Sequence, residues 1–179
     1  MLRKSKKRNP ISYSIWFIPN GLAYDTLNRL IIKISKKYTN IKFSPHVTLL
    51  GGFLGIEEEL RCLTKSLAKE LSPFIINFDK IEYLDEFFRS IFIKVKLDNN
   101  FKNARTIAIN NFQFEEFNFI PHLSLAYGAL NEIMKKEIKF IAETGLYGVN
   151  SFVVDAIYLA KNDEINFKWE IIKTYKLNP

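Results

Sequence analysis

Cysteine is almost absent from this chain. Cys62 is the only one in 179 residues, which excludes an intrachain disulfide and any cysteine-rich zinc site. A chain that relies on neither suits a reducing compartment, so a cytoplasmic location is expected. Long apolar runs are missing too: no stretch approaches the ~18 residues that a membrane span needs, and no membrane association is expected. Glycine is scarce, with 7 residues, and has no triplet period, which excludes a collagen-like chain. There is no G-x-G-x-x-G and no Walker pattern, hence no nucleotide-cofactor fingerprint. G-x-S-x-G and H-E-x-x-H are also absent, which removes a serine-hydrolase nucleophile elbow and a zinc-protease metal pair. No cofactor and no metal are expected.

What remains is ordinary globular chemistry. The chain is 47% hydrophobic, 15% aromatic and 25% charged, which excludes a wholly disordered chain. Its length fits about one domain, and such a domain buries about two thirds of its unfolded surface without staples.

The net charge of +7 is concentrated at one end. Arg3, Lys4, Lys6, Lys7 and Arg8 fall in the first ten residues, with no acid among them. Removing these five from 26 basic residues leaves 21 against 19 acidic ones, so residues 11–179 are nearly neutral. Residues 1–10 read as a solvated, disordered tail. An electrostatic hand for RNA phosphates and a signal peptide are the other readings of this segment.

Along the chain, β-branched and aromatic runs alternate with helical spacing. Tyr13 to Ile18 reads as a strand that stops at Pro19-Asn20-Gly21. Leu27, Leu30, Ile31, Ile34 and Tyr38 predict an amphipathic helix over Leu22 to Tyr38. Ile41 to Leu50 reads as a strand, and Ile56 to Leu71 as a second helix. Phe74 to Tyr83 and Phe88 to Leu97 flank a polar turn at Asp85-Glu86 and predict a hairpin. Lys94 and Lys96 share one face of it, read as solvated. Asp98 is a plausible N-cap for a helix carrying Phe101, Ala104, Ile107 and Ala108. Phe119 to Tyr127 is strand-like, and a last helix from Leu130 ends by Gly145. Phe152 to Ala160 and Phe167 to Leu177 close the chain as two strands. This order suits helices packed on sheets in an α+β or α/β sandwich.

The most informative feature is a short internal repeat. Phe43-Ser44-Pro45-His46-Val47-Thr48-Leu49 aligns with Phe119-Ile120-Pro121-His122-Leu123-Ser124-Leu125, and both histidines of the chain fall in it. In a strand, residues i and i+2 point the same way. Each copy therefore projects an imidazole and a hydroxyl from one face and packs aliphatics behind. If the copies lie in two symmetry-related lobes, two imidazoles and two hydroxyls converge on a cleft. One imidazole can take a proton from water while the other, protonated, donates to a leaving oxygen. The hydroxyls can donate to non-bridging phosphate oxygens. A lone strand histidine is more often structural than catalytic. Duplication of the whole unit, using every histidine, favours a functional site at His46, Thr48, His122 and Ser124.

These residues resemble the 2H phosphoesterase superfamily, defined by two H-x-[ST]-x motifs, and within it the plant- and yeast-type cyclic phosphodiesterases. Tyr13-Ser14-Ile15-Trp16 with Pro19 is similar to that family's opening strand. Trp169-Glu170 and Leu177-Asn178-Pro179 are similar to its last. Gly51-Gly52 resembles instead the bacterial 2'-5' RNA ligase-like members. The resemblance implies an α+β, bilobal, LigT-like fold, with a small antiparallel sheet and helices in each lobe around a central cleft. It implies hydrolysis of ADP-ribose 1'',2''-cyclic phosphate and nucleoside 2',3'-cyclic phosphates, the latter to 2'-phosphates, and a place in the disposal of tRNA-splicing by-products. His46 and His122 would be the acid/base pair, with Thr48 and Ser124 on the phosphate. Tyr127 matches an aromatic that contacts substrate, a role that requires the strand to bend or end there, since parity puts Tyr127 opposite Ser124. Trp16 reads as a core residue, with stacking on a base as the other reading. Alternatives are an RNA-directed enzyme acting on RNA ends, and a non-catalytic RNA- or nucleotide-binding module. The expected partner is a small cyclic phosphate, and the expected state a monomer.

Overall fold

A computed structural model describes residues 11–114 and 119–179. The basic segment 1–10 lies outside the described residues. The chain runs β1 (Ile11–Phe17), α1 (Gly21–Ile34), β2 (Val47–Phe53), α2 (Glu57–Glu70), β3 (Phe74–Glu82), β4 (Ile91–Val95), α3 (Asn99–Phe112), β5 (His122–Ala126), α4 (Glu132–Gly145), β6 (Ser151–Val154), β7 (Ala156–Asp163) and β8 (Lys168–Lys176). The strands form one sheet in the order β6-β3-β4-β5-β2-β1-β7-β8.

Strand alternation fixes which face meets the helices. On β1, Tyr13, Ile15 and Phe17 enter the hydrophobic core, while Ser12, Ser14 and Trp16 point to the opposite face. The helices bury the first face in two pairs. α1 and α4 pack together, with α1 on β5 and α4 on β3 and β4. α2 and α3 pack together, with α2 on β7 and β8 and α3 on β2. Each pair thus joins a helix from the first half of the chain to one from the second. α1 buries Leu27, Leu30, Ile31 and Ile34, as its apolar spacing predicts, and ends in a π-helical turn over Ser35–Thr39.

The sheet divides at its centre. β6, β3, β4 and β5 make one lobe, and β2, β1, β7 and β8 the other. Among the described residues, β2 and β5 meet through one pair, Val47 opposite Leu123, whereas β1 and β7 pair along six residues. The α+β, bilobal architecture is the one the resemblance implied.

The expected strand limits need correction in four places. Neither Ile41 nor Phe119 opens a strand: β2 begins at Val47 and β5 at His122. Pro45 and Pro121 have no N–H to donate, so each ladder starts beyond its proline. The strand expected over Phe88 to Leu97 is confined to Ile91–Val95, because Phe87–Arg89 forms a 3-10 turn, which lengthens the hairpin connection. The single strand expected over Phe152 to Ala160 is two. β6 pairs with β3 in one lobe, and after Asp155 the chain crosses to pair β7 with β1 and β8 in the other.

Asp98 caps α3 as expected, its side chain accepting from the Phe101 amide at 2.9 Å. Replacing a cap of this kind typically removes about 1 kcal/mol. Asp98→Ala is expected to lower stability by that amount in urea titration, with an unchanged m-value.

Candidate active site

The site is assembled at the seam between the lobes. Each Pro-His step brings the imidazole back over its own backbone. Nδ1 of His46 lies 2.7 Å from the Ser44 carbonyl, and Nδ1 of His122 lies 2.7 Å from the Ile120 carbonyl. A carbonyl only accepts, so Nδ1 carries the proton and Nε2 holds the basic lone pair in each neutral ring. Repetition of the sequence has repeated the tautomer.

The neighbouring strands support the two rings differently. Trp16, opposite Thr48 on β1, stacks on His46 with centroids 3.7 Å apart and planes 15° apart. Phe92, opposite Ser124 on β4, meets His122 edge-on at 5.3 Å. His46 is 7% exposed, while His122 is only half-buried. Burial drives the His46 pKa down to about 4; its bond to the Ser44 carbonyl opposes the shift, and charge on His122 adds to it. Trp16, read from the sequence as a core residue, is buried at 3% exposed, but on the sheet face away from the helices. It is also a wall of the site.

The hydroxyls follow strand parity. Thr48 and Ser124 line the same cleft as the histidines. Ser124 Oγ donates to the Phe88 carbonyl at 3.1 Å. β5 ends at Ala126, and Gly128 adopts φ +135°. Tyr127 is thereby released from strand parity, which meets the condition the sequence set, and it lines the cleft. Burial holds its phenol well above the ordinary range. All five expected site residues therefore border one cleft of about 380 Å³. Lys94 and Lys96 do not.

Several cleft residues had no readable signal. Asn162 on β7 donates its side-chain amide to Ser14 Oγ at 2.6 Å, while its Oδ1 has no hydrogen-bond partner. Glu164, Arg89 and the backbone at Gly51-Gly52 complete the rim. A solitary asparagine or glutamate carries no pattern; only the pairing of β7 with β1 brings Asn162 to the site. Among the described residues, no three His, Cys, Asp or Glu side chains cluster to hold a metal. No helix among them is long and apolar enough to cross a membrane.

Comparison with known proteins agrees with this architecture. Residues 11–174 match the family described as cyclic phosphodiesterase-like protein. A cyclic phosphodiesterase of Arabidopsis thaliana is 25% identical over 174 residues, covering 93% of this chain and 96% of the relative. Among solved structures, Escherichia coli LigT complexed with 3'-AMP superposes with a TM-score of 0.61 at 12% identity, covering 96% of this chain and 100% of that one. LigT complexed with NADP+ gives 0.58 at 13% identity, covering 94% and 98%.

The depressed His46 pKa makes a stability statement. Between pH 6.5 and 4 the unfolded chain binds a proton at this residue that the folded chain refuses, so stability falls as pH drops through that window. The full loss for such a shift is about 3 kcal/mol. In denaturant titrations at pH 7 and pH 4, His46→Gln is expected to show a smaller acid loss than wild type. An identical loss would place the acid sensitivity elsewhere.

Proposed function

This chain belongs to the cyclic phosphodiesterase-like family of phosphodiesterases, and from that membership we propose that it hydrolyses nucleoside 2',3'-cyclic phosphates and ADP-ribose 1'',2''-cyclic phosphate by a metal-independent, two-histidine mechanism. The observation that carries the reading is the duplicated imidazole–hydroxyl pair on one cleft, each ring locked with its basic lone pair on Nε2.

His46 is assigned the base. Its buried ring is neutral at pH 7, so Nε2 can take a proton from the attacking water. The water oxygen bonds to phosphorus as the ring's P–O3' bond breaks. His122, protonated, delivers its proton to the departing O3', which leaves a 2'-phosphate. Thr48 and Ser124 donate to the non-bridging oxygens, where charge must be held. Ser124 can do so by turning its hydroxyl from the Phe88 carbonyl, a rotation about one bond. Tyr127 is assigned to substrate contact. An RNA-directed activity on 2',5'-linked or processed ends is the second reading. The near-neutral balance of residues 11–179 supports the small substrate over a long phosphate footprint.

Four outcomes test the mechanism. Turnover of 2',3'-cyclic AMP should survive EDTA; loss in chelator restored by a divalent ion would sink it. His46→Ala and His122→Ala should each lower kcat/KM on the order of 10²–10⁴-fold, and Thr48→Ala about 10- to 1000-fold. The kcat/KM profile should be bell-shaped, reporting the two histidines of the free enzyme. A diester with a 4-nitrophenolate leaving group needs no protonation, so it should restore much of the His122→Ala rate and little of the His46→Ala rate. The reverse pattern would exchange the two roles.

A further inference from the structure

Arg105, on α3, is a buried cation with no part in the proton transfers; it is 8% exposed. Its guanidinium touches both sides of the seam. Nη1 donates to the Leu49 carbonyl on β2. The guanidinium carbon lies over the ring of Phe119, 3.4 Å from its centroid. Both contacts fall beside the repeated motif. In the β1–β2 register Trp16 faces Thr48 and Ile15 faces Leu50, so Leu49 is the extra residue of a bulge. Its carbonyl takes the Arg105 donor one residue after the Thr48 hydroxyl. Phe119 stands one residue before Ile120, whose carbonyl tethers Nδ1 of His122.

The two ends of this link are not equally secure. β2 is fixed by its ladder to β1. Phe119 precedes β5, and the nearby Pro121 carbonyl accepts from the Val95 amide at 2.9 Å, on the side away from β2. Toward β2 the described strands meet only at Val47 and Leu123. Phe119 instead leans on α3: besides Arg105 it stacks on Phe101, one helical turn earlier, with planes 23° apart. A guanidinium is planar and carries several donors, so it can stack through its face and donate through its edge at once. An ammonium cannot do both.

We infer that Arg105 is a positioning residue for hydrolysis: it braces the two motif copies across the seam and sets His122 in register with His46 and Thr48. The inference rests on the two-histidine reading above. Without the brace, β2 keeps its place and the entry to β5 shifts, so the acid moves relative to the base and the phosphate. A misplacement near 1 Å costs on the order of 10²-fold in rate.

The test compares 2',3'-cyclic AMP with the 4-nitrophenolate diester in wild type, Arg105→Met, Arg105→Lys and Phe119→Leu. Arg105→Met should lower kcat for cyclic AMP roughly 10- to 100-fold and leave KM within about threefold, because alignment is lost and binding is not. On the nitrophenolate diester the deficit should shrink to within about threefold, in step with His122→Ala, because that leaving group needs no proton. A residue that only stabilises the fold would slow both substrates by one factor. Arg105→Lys keeps the charge and a donor for Leu49 but loses the stack, so it should share the kcat loss. Adding Phe119→Leu to Arg105→Met should cost little more than Arg105→Met alone, since both break the same contact. Should Arg105→Met not fold, Arg105→Lys and Phe119→Leu carry the same comparison, because neither leaves Leu49 without a donor. Wild-type kcat in Arg105→Lys, a loss confined to KM, equal losses on both substrates, or fully additive losses with Phe119→Leu would overturn the brace while leaving hydrolysis intact. Undiminished turnover of cyclic AMP by His122→Ala would overturn the two-histidine reading instead.

Discussion

The pairing of Val47 with Leu123 is the contact on which the site depends. Both side chains are completely buried, and each sits one residue after a histidine and one before a hydroxyl. Placing these two backbones side by side settles where His46, Thr48, His122 and Ser124 stand, because strand parity then turns all four away from the buried face. The seam is also where the sheet is least continuous. One pair holds the middle, while longer ladders hold each lobe, so the cleft opens where hydrogen bonding is thinnest. The helices compensate from behind: each helix pair joins one helix from each half of the chain, and α1 reaches from the first half to β5.

Symmetry in the backbone does not make the two imidazoles equal. Both use Nδ1 in the same bond at the same distance. The difference lies in what β1 and β4 put opposite. Trp16 covers a face of His46 and excludes water, which favours the neutral ring. Phe92 offers only an edge to His122, and the ring remains half-buried. An acid/base pair needs its members in different protonation states at one pH. Duplication of the motif supplied two like groups, and the neighbouring strands give them unlike surroundings: a stacked Trp16 on His46 and an edge-on Phe92 on His122.

The duplicated motifs on β2 and β5 were legible because their signal is local: a proline, then alternation of imidazole, aliphatic, hydroxyl and aliphatic. Helix limits were legible for the same reason, as the Asp98 cap and the spacing of Leu27 to Ile34 illustrate. The break at Asp155 was not. Phe152 to Ala160 keeps an uninterrupted strand composition, and only tertiary pairing sends its two halves to different lobes. Asn162 and Glu164 were unreadable on the same account, since a site residue contributed by long-range pairing leaves no spacing in the sequence. Tyr127 stood between these cases: parity excluded it unless β5 ended, and the glycine that follows lets the chain turn there.

The charge of the cleft bears on what it can hold. Among the described lining residues, the acidic and basic ones besides the two imidazoles are Arg89 and Glu164, and Arg89 is already paired with Glu86. Sites for polyanions surround them with arginine and lysine, because each uncompensated phosphate charge taken from water is costly. A cyclic diester carries one charge spread over two oxygens. In the proposed mechanism two hydroxyls and one protonated imidazole match that charge without a cationic clamp. Glu164 adds a further constraint: the diphosphate of ADP-ribose 1'',2''-cyclic phosphate has to lie outside the cleft, away from this carboxylate. Of the two proposed substrates, a mononucleotide cyclic phosphate brings its single charge to this cleft, whereas the larger one must keep its diphosphate in solvent, where the charge costs little.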